Sequence, residues 1–168
     1  MNKVSILGIE FDNYSLEEFK DRLINRLNNK VSTMVVTANP EIVMAANKDP
    51  KFMELIKKDA DLVTADGIGI VLGGKMLKTP VKERVTGYDL FTWLLHVGNL
   101  RKLRVYLIGA TPAVMKITKA KIAKDYPVVR QVKKTILSST GEVVELVVGY
   151  KRCDYFSLSF SSTDYPGV

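Results

Sequence analysis

The chain has 168 residues, one His, one Cys and a formal net charge of +7, with 46% apolar and 26% charged residues. That length suits one domain with a sizeable core, and the composition is that of a folded globular chain, not of a disordered or fibrous one. Cys153 alone excludes an intramolecular disulfide and a multi-cysteine zinc site, His96 alone excludes a histidine cluster, and no apolar run reaches the roughly 18 residues that cross a bilayer.

From the N-terminus, residues 4–11 read as a strand, with Gly8 allowing a tight hairpin. Glu10 and Asp12 interrupt this apolar stretch too early for a secretory signal, so an intracellular protein is expected. Ser15-Leu16-Glu17-Glu18 is a capping box, and Leu16, Phe19, Leu23 and Leu27 then share one face of a helix running to about Asn29. Residues 33–38 are a short apolar run suited to a buried parallel strand. Asn39-Pro40 caps and opens a helix, and Asp49-Pro50 repeats the device for a second one ending near Lys58. A strand is expected over 61–65, a helix over 68–76, a basic loop over 79–86 and an apolar helix from Tyr88 to about Val97. Residues 103–108 read as a strand, followed by a Lys-rich helix through Lys124. Past Pro127 the signals weaken: 128–137 is a candidate strand, 142–148 is unclassified, and the Ser alternation of 155–160 fits an edge strand. Alternating strand and helix predicts an α/β fold: a Rossmann-like, mostly parallel sheet flanked by helices, with a small N-terminal hairpin.

Charge is divided unevenly. Residues 1–66 carry 9 basic and 11 acidic side chains, whereas 67–168 carry 16 and 7. The basic excess points to an anionic partner: a phosphorylated ligand, an acidic membrane surface or, ranked last for want of any nucleic-acid motif, nucleic acid.

In an open parallel sheet, ligands bind beyond the carboxyl ends of the strands. Three such ends carry chemistry. Thr37 and Asn39 offer a hydroxyl and an amide suited to a sugar; Asp66 offers a carboxylate beside Gly67, where backbone can approach a ligand; Gly109 and Thr111 precede a helix N-terminus that attracts phosphate. Each also has a plainer role, Asn39 and Thr111 as helix caps and Asp66 as a turn residue. Arg84 is a candidate diphosphate contact, its competing role being an ion pair with Glu83 or Asp89. Gly67-Ile68-Gly69 lacks the third glycine of a dinucleotide fingerprint, which is Leu72 here. Asp59-Ala60-Asp61 has the look of a metal-binding D-x-D but falls at the wrong end of its strand. The helix around Trp93 and Leu94 reads as core, with His96 structural.

Four segments occur in order with natural spacing: Thr37-Ala38-Asn39-Pro40-Glu41-Ile42-Val43, Asp61-Leu62-Val63-Thr64-Ala65-Asp66-Gly67-Ile68-Gly69-Ile70-Val71, Glu83-Arg84-Val85-Thr86-Gly87-Tyr88-Asp89-Leu90 and Tyr106-Leu107-Ile108-Gly109-Ala110. Together they resemble the WecG/TagA/CpsF glycosyltransferase family, in particular its N-acetylmannosaminyltransferases of wall teichoic acid synthesis. The resemblance implies inverting transfer of N-acetylmannosamine from UDP-N-acetylmannosamine to undecaprenyl-diphosphate-linked N-acetylglucosamine, with no metal and no cofactor. It implies Asp66 as general base and Thr37 and Asn39 in the sugar pocket. Arg84 and the helix N-termini would stabilise the departing UDP. The implied partners are the UDP-sugar, the lipid-linked acceptor and an anionic membrane surface, with a homo-oligomer left open; the implied place is the cytoplasmic face of the membrane.

The resemblance covers residues 1–127, read as a glycosyltransferase-like domain. Residues 128–168 depart from it, lacking the family's Pro-x-Gln-Glu-like motif and basic C-terminal appendage, and form a divergent segment of unassigned fold. A truncated or frame-shifted, inactive product is one expectation; a non-catalytic nucleotide-sugar binding module is the alternative function.

Overall fold

The computed structural model describes residues 3–105, 107, 110–131 and 157–159. The chain divides into two compact units: residues 1–90 with 154–168, and residues 91–153.

The first unit opens with a hairpin, β1 (Lys3–Ile6) and β2 (Ile9–Asp12), paired antiparallel with Ile6 opposite Ile9. Its two-residue turn places Leu7 at φ 48° and Gly8 at φ 85°. Positive φ at both central residues is the geometry whose twist matches the flanking strands. Helix α1 (Leu16–Asn28) starts at the expected capping box: the Ser15 hydroxyl accepts from the Glu18 N–H, and the Glu18 carboxylate accepts from the Ser15 N–H at 2.6 Å.

Strand β3 (Met34–Ala38) follows, then α2 (Pro40–Lys48) and α3 (Pro50–Asp59), both opening on the predicted cap-proline pairs. Strand β4 (Leu62–Ala65) pairs parallel with β3, Thr37 beside Thr64 and Ala38 beside Ala65, and α4 (Ile68–Met76) leaves it. Residues 157–159 form an antiparallel strand on the other edge of β3, within the segment expected to be an edge strand. Ile6, Ile9, Phe11, Ala38, Ile42, Val43, Val63, Ala65 and Ile70 make one buried core beneath these elements. Full burial of a side chain such as Phe11 is worth about 1.5–3 kcal/mol. Asp12, buried at the end of β2, accepts from the Val63 N–H at 2.8 Å and so ties the hairpin to β4.

Helix α5 (Gly87–Arg101) contains the division between units, which falls after Leu90. It runs four residues past the expected end near Val97. Gly98 does not stop it, because Lys102 at φ 57° and a 2.8 Å bond from the Leu103 N–H to the Gly98 carbonyl close the helix later. In the second unit, β5 (Arg104–Val105) pairs parallel with β6 (Arg130–Gln131), and α6 (Pro112–Asp125) lies between them in sequence. Leu95, Ile122 and Val129 form its buried centre. Of the strand expected over 103–108, the described ladder is Arg104–Val105; Leu103 and Leu107 lie outside it, and 106 and 108 are outside the described residues. The remainder of 128–137 and all of 142–148 lie outside the described residues.

The architecture is thus the expected α/β class, a small parallel β3–β4 pair with flanking helices and an antiparallel N-terminal hairpin.

Candidate functional site

The register of β3 on β4 brings their carboxyl ends level. The Asp66 N–H donates to the Ala38 carbonyl at 3.0 Å, carrying the parallel ladder one residue further and setting Asp66 beside Asn39. Gly67 then turns the chain into α4 at φ 98°, where an L side chain would be strained; a Cβ there would meet Pro40 and Asn39 only at ordinary contact distance. Conformation, not crowding, therefore demands the glycine. Thr37, Asn39, Asp66 and Gly67 share one edge of the sheet.

On the outer side of β4 runs a segment read from sequence only as a basic loop. The Val85 N–H donates to the Ala65 carbonyl at 3.0 Å, and the buried Thr64 hydroxyl donates to the Val85 carbonyl at 3.0 Å. Two residues on, the Gly87 N–H donates to the Asp66 carboxylate at 2.9 Å. The other Asp66 oxygen makes no hydrogen bond among the described residues. A Cβ on Gly87 would lie 2.8 Å from the Thr37 hydroxyl oxygen, so the same glycine that holds Asp66 packs against Thr37. Thr37 is 5% exposed, and its hydroxyl has no hydrogen-bond partner among the described residues. Sequence reasoning missed Gly87. The signal was Thr86-Gly87-Tyr88-Asp89, a capping pattern: the Thr86 hydroxyl accepts from the Asp89 N–H at 3.1 Å and donates to its carboxylate at 2.6 Å.

Asn39 is committed to its plainer role. Its side-chain oxygen caps α2 by accepting from the Ile42 N–H at 2.8 Å, and its amide nitrogen donates to Glu41 at 3.2 Å. Arg84 is exposed, and neither expected ion pair forms among the described residues: Glu83 accepts instead from the Leu16 N–H at 3.1 Å, and Thr86 donates to Asp89. The loop carrying Arg84 is fastened to the start of α1, with the Lys82 N–H donating to Asn13 at 2.6 Å and the Lys82 ammonium 2.7 Å from Glu18. That ammonium, with the Ser15 backbone N–H, holds the Glu18 carboxyl down at about 2, from an ordinary value of 4.5.

Thr111, in the second unit, caps α6 through its hydroxyl, which accepts from the Val114 N–H at 3.4 Å. Gly109 lies outside the described residues. Asp61 is bonded to Arg26 and accepts from the Met34 N–H at 2.8 Å, while Asp59 ends α3. Among the described residues no three potential metal ligands cluster. His96 is exposed on α5, and Leu94 and Leu95 are buried.

Residues 4–140 match the model of the Glycosyl transferase WecG/TagA/CpsF family. A relative from Bacillus spizizenii (strain ATCC 23059 / NRRL B-14472 / W23) is 32% identical over 170 residues, covering 93% of this chain and 66% of its own. One from Staphylococcus aureus (strain NCTC 8325 / PS 47) is 35% identical over 129 residues, covering 74% of this chain and 50% of its own. Both are named N-acetylglucosaminyldiphosphoundecaprenol N-acetyl-beta-D-mannosaminyltransferase. The chain spans from half to just under two thirds of the length of these relatives. The edge formed by Thr37, Asn39, Asp66 and Gly67 lies inside the matched region, and the chain belongs to the WecG/TagA/CpsF glycosyl transferase family.

Proposed function

We propose that this chain transfers N-acetylmannosamine, with inversion, from UDP-N-acetylmannosamine to undecaprenyl-diphosphate-linked N-acetylglucosamine, the linkage-unit step of wall teichoic acid synthesis. One observation carries the reading. The Asp66 carboxylate is fixed by a backbone N–H through one oxygen, beside Thr37 at the open end of a parallel strand pair. In the reaction the 4-hydroxyl oxygen of the acceptor attacks C1 of the donor sugar as its proton passes to Asp66. The bond from C1 to the diphosphate breaks, and UDP leaves with the electron pair. A positioned base is worth about 10²–10⁴ in rate. Thr37, and Asn39 to the extent that its capping bonds leave a donor, orient the sugar; Arg84 answers the charge gathering on UDP. Gly109 and Thr111 keep their proposed phosphate-contacting role. A peripheral place at the inner face of the cell membrane follows from the lipid-linked acceptor and the basic excess of residues 67–168. Among the described residues no helix is long and apolar enough to cross a membrane.

The test is UDP release in a screen of UDP-sugars with the lipid-linked acceptor, on the chain and on Asp66→Asn. Asparagine can still accept from the Gly87 N–H but cannot take the proton, so release should fall by about 10² or more with donor binding kept. Equal release from the two proteins rejects Asp66 as base. A second reading, a non-catalytic nucleotide-sugar binding module, predicts calorimetric binding of the donor with no release at all.

A further inference from the structure

Between α2 and α4 runs a groove of about 260 Å³, lined by Pro40, Val43 and Met44 from one helix and Gly69, Gly73 and Met76 from the other, and closed below by Ile6 and Ile70. Both helices start at the edge that bears Asp66: Pro40 follows Asn39, and a Cβ on Gly69 would fall 2.7 Å from the Pro40 ring. Nine residues of α4 extend the groove about 13 Å away from that edge. At its far end Leu7 and Leu77 stand half exposed and Met76 is 84% exposed, with the exposed cations of Lys48, Lys75 and Lys78 on the neighbouring positions. The Asn47 amide donates to the Leu7 carbonyl at 3.0 Å and fastens the hairpin tip there. Leu7 itself occupies the left-handed region, where a bulky residue is an outlier and Asn or Gly would be favoured, yet it presents an apolar side chain to the groove.

We infer that this groove seats the hydrocarbon chain of the lipid-linked acceptor. The inference rests on the transfer reading above and adds the subsite. The acceptor is one molecule with a sugar hydroxyl at one end and a polyprenyl chain at the other. The groove begins at Pro40 and Gly69, next in the chain to the turn that bears Asn39 and Asp66, and opens at an apolar, basic-rimmed mouth of the kind that meets a phospholipid surface. Gly69 lets α4 pack closely on the Pro40 ring at the inner end, whereas a Cβ on Gly73 would meet only Ile6, at 3.9 Å, so the groove is open beside that position.

The test is calorimetric titration of the chain, below the micelle threshold, with geranylgeranyl diphosphate and with isopentenyl diphosphate, which share a head group and differ in hydrocarbon length. The longer ligand should bind at least about tenfold more tightly, because a few buried methylene groups suffice for that ratio. Gly73→Leu, which fills the groove, and Met76→Ser, which strips its mouth, should bring the ratio down toward one. Should Gly73→Leu fail to fold, Met76→Ser at its exposed position carries the comparison. A ratio of one in the unaltered chain, or a ratio unmoved in the folded variants, overturns the inference. So does sedimentation showing self-association lost in the variants while the ratio stays, since a second copy would then cover the groove. Chain-length preference without sugar transfer leaves the groove standing and sinks the reaction; transfer without chain-length preference does the reverse.

Discussion

Gly87 donates its backbone N–H to the Asp66 carboxylate at 2.9 Å while its α-carbon faces the Thr37 hydroxyl, so a single residue sets both the acid and the alcohol of the site. Gly87→Ala should therefore be costly out of proportion to one methyl group. The added carbon would stand 2.8 Å from the Thr37 oxygen and 3.3 Å from its Cβ, and either β3 or the 85–87 segment must yield. Overpacking of this kind costs about 1–3 kcal/mol, readable in a urea melt, and UDP release should fall at least about tenfold as Asp66 shifts. A variant with unchanged stability and turnover would contradict the geometry.

Arg84 gives the opposite signature. It is exposed and makes no ion pair among the described residues, so Arg84→Ala should leave the melting midpoint within about 0.5 kcal/mol of the parent. Donor KM should rise by about tenfold or more, the worth of a charged hydrogen bond to a diphosphate. Arg84→Lys should recover only part of this, because an ammonium cannot reproduce the two-pronged contact. A loss of stability without a change in KM would assign the residue to the fold instead.

Acid should loosen the junction between α1 and the loop bearing Arg84. Glu18 titrates at about 2 in the folded chain against an ordinary 4.5, held down first by Lys82 and then by the Ser15 N–H. A carboxyl depressed on folding stabilises above its unfolded value and loses that contribution as pH falls. The difference in thermal midpoint between the parent and Glu18→Gln should be full above pH 4.5, shrink below it and vanish near pH 2. Added salt should reduce the difference at neutral pH, since the pair with Lys82 is half exposed.

Three helices end on a lysine in the left-handed region: Lys30 after α1, Lys78 after α4 and Lys102 after α5. In each, the following N–H reaches the carbonyl five residues back, at 2.8–2.9 Å. Lys102→Gly should raise stability by about 0.5–1 kcal/mol, relieving the positive φ at some cost in chain entropy. Denaturant midpoints of the pair measure it, and a destabilised glycine variant would rule out strain at that cap.

These lysines also mark where reading the chain stops short. Ser15 and Glu18, Asn39 and Pro40, and Asp49 and Pro50 announce their helices because a cap is a bond between near neighbours in sequence. A lysine in a helix-ending position carries no such mark, since the conformation belongs to glycine by preference and was accepted here for the bonds it closes. Likewise, Val85 looked like loop because its hydrogen bonds go to Ala65 and Thr64, some twenty positions away.

Local chemistry in the sequence was enough to place Thr37, Asn39 and Asp66 at strand ends, since turns and caps follow from residue type within a few positions. Which of them meet was decided by the register of β3 on β4 and by the return of the chain at Gly87. The tertiary structure alone committed the Asn39 oxygen to a cap, left Arg84 without a carboxylate partner among the described residues and opened an apolar groove beside the edge. Such outcomes depend on contacts between residues distant in sequence, whose geometry is fixed only when the core of the first unit closes.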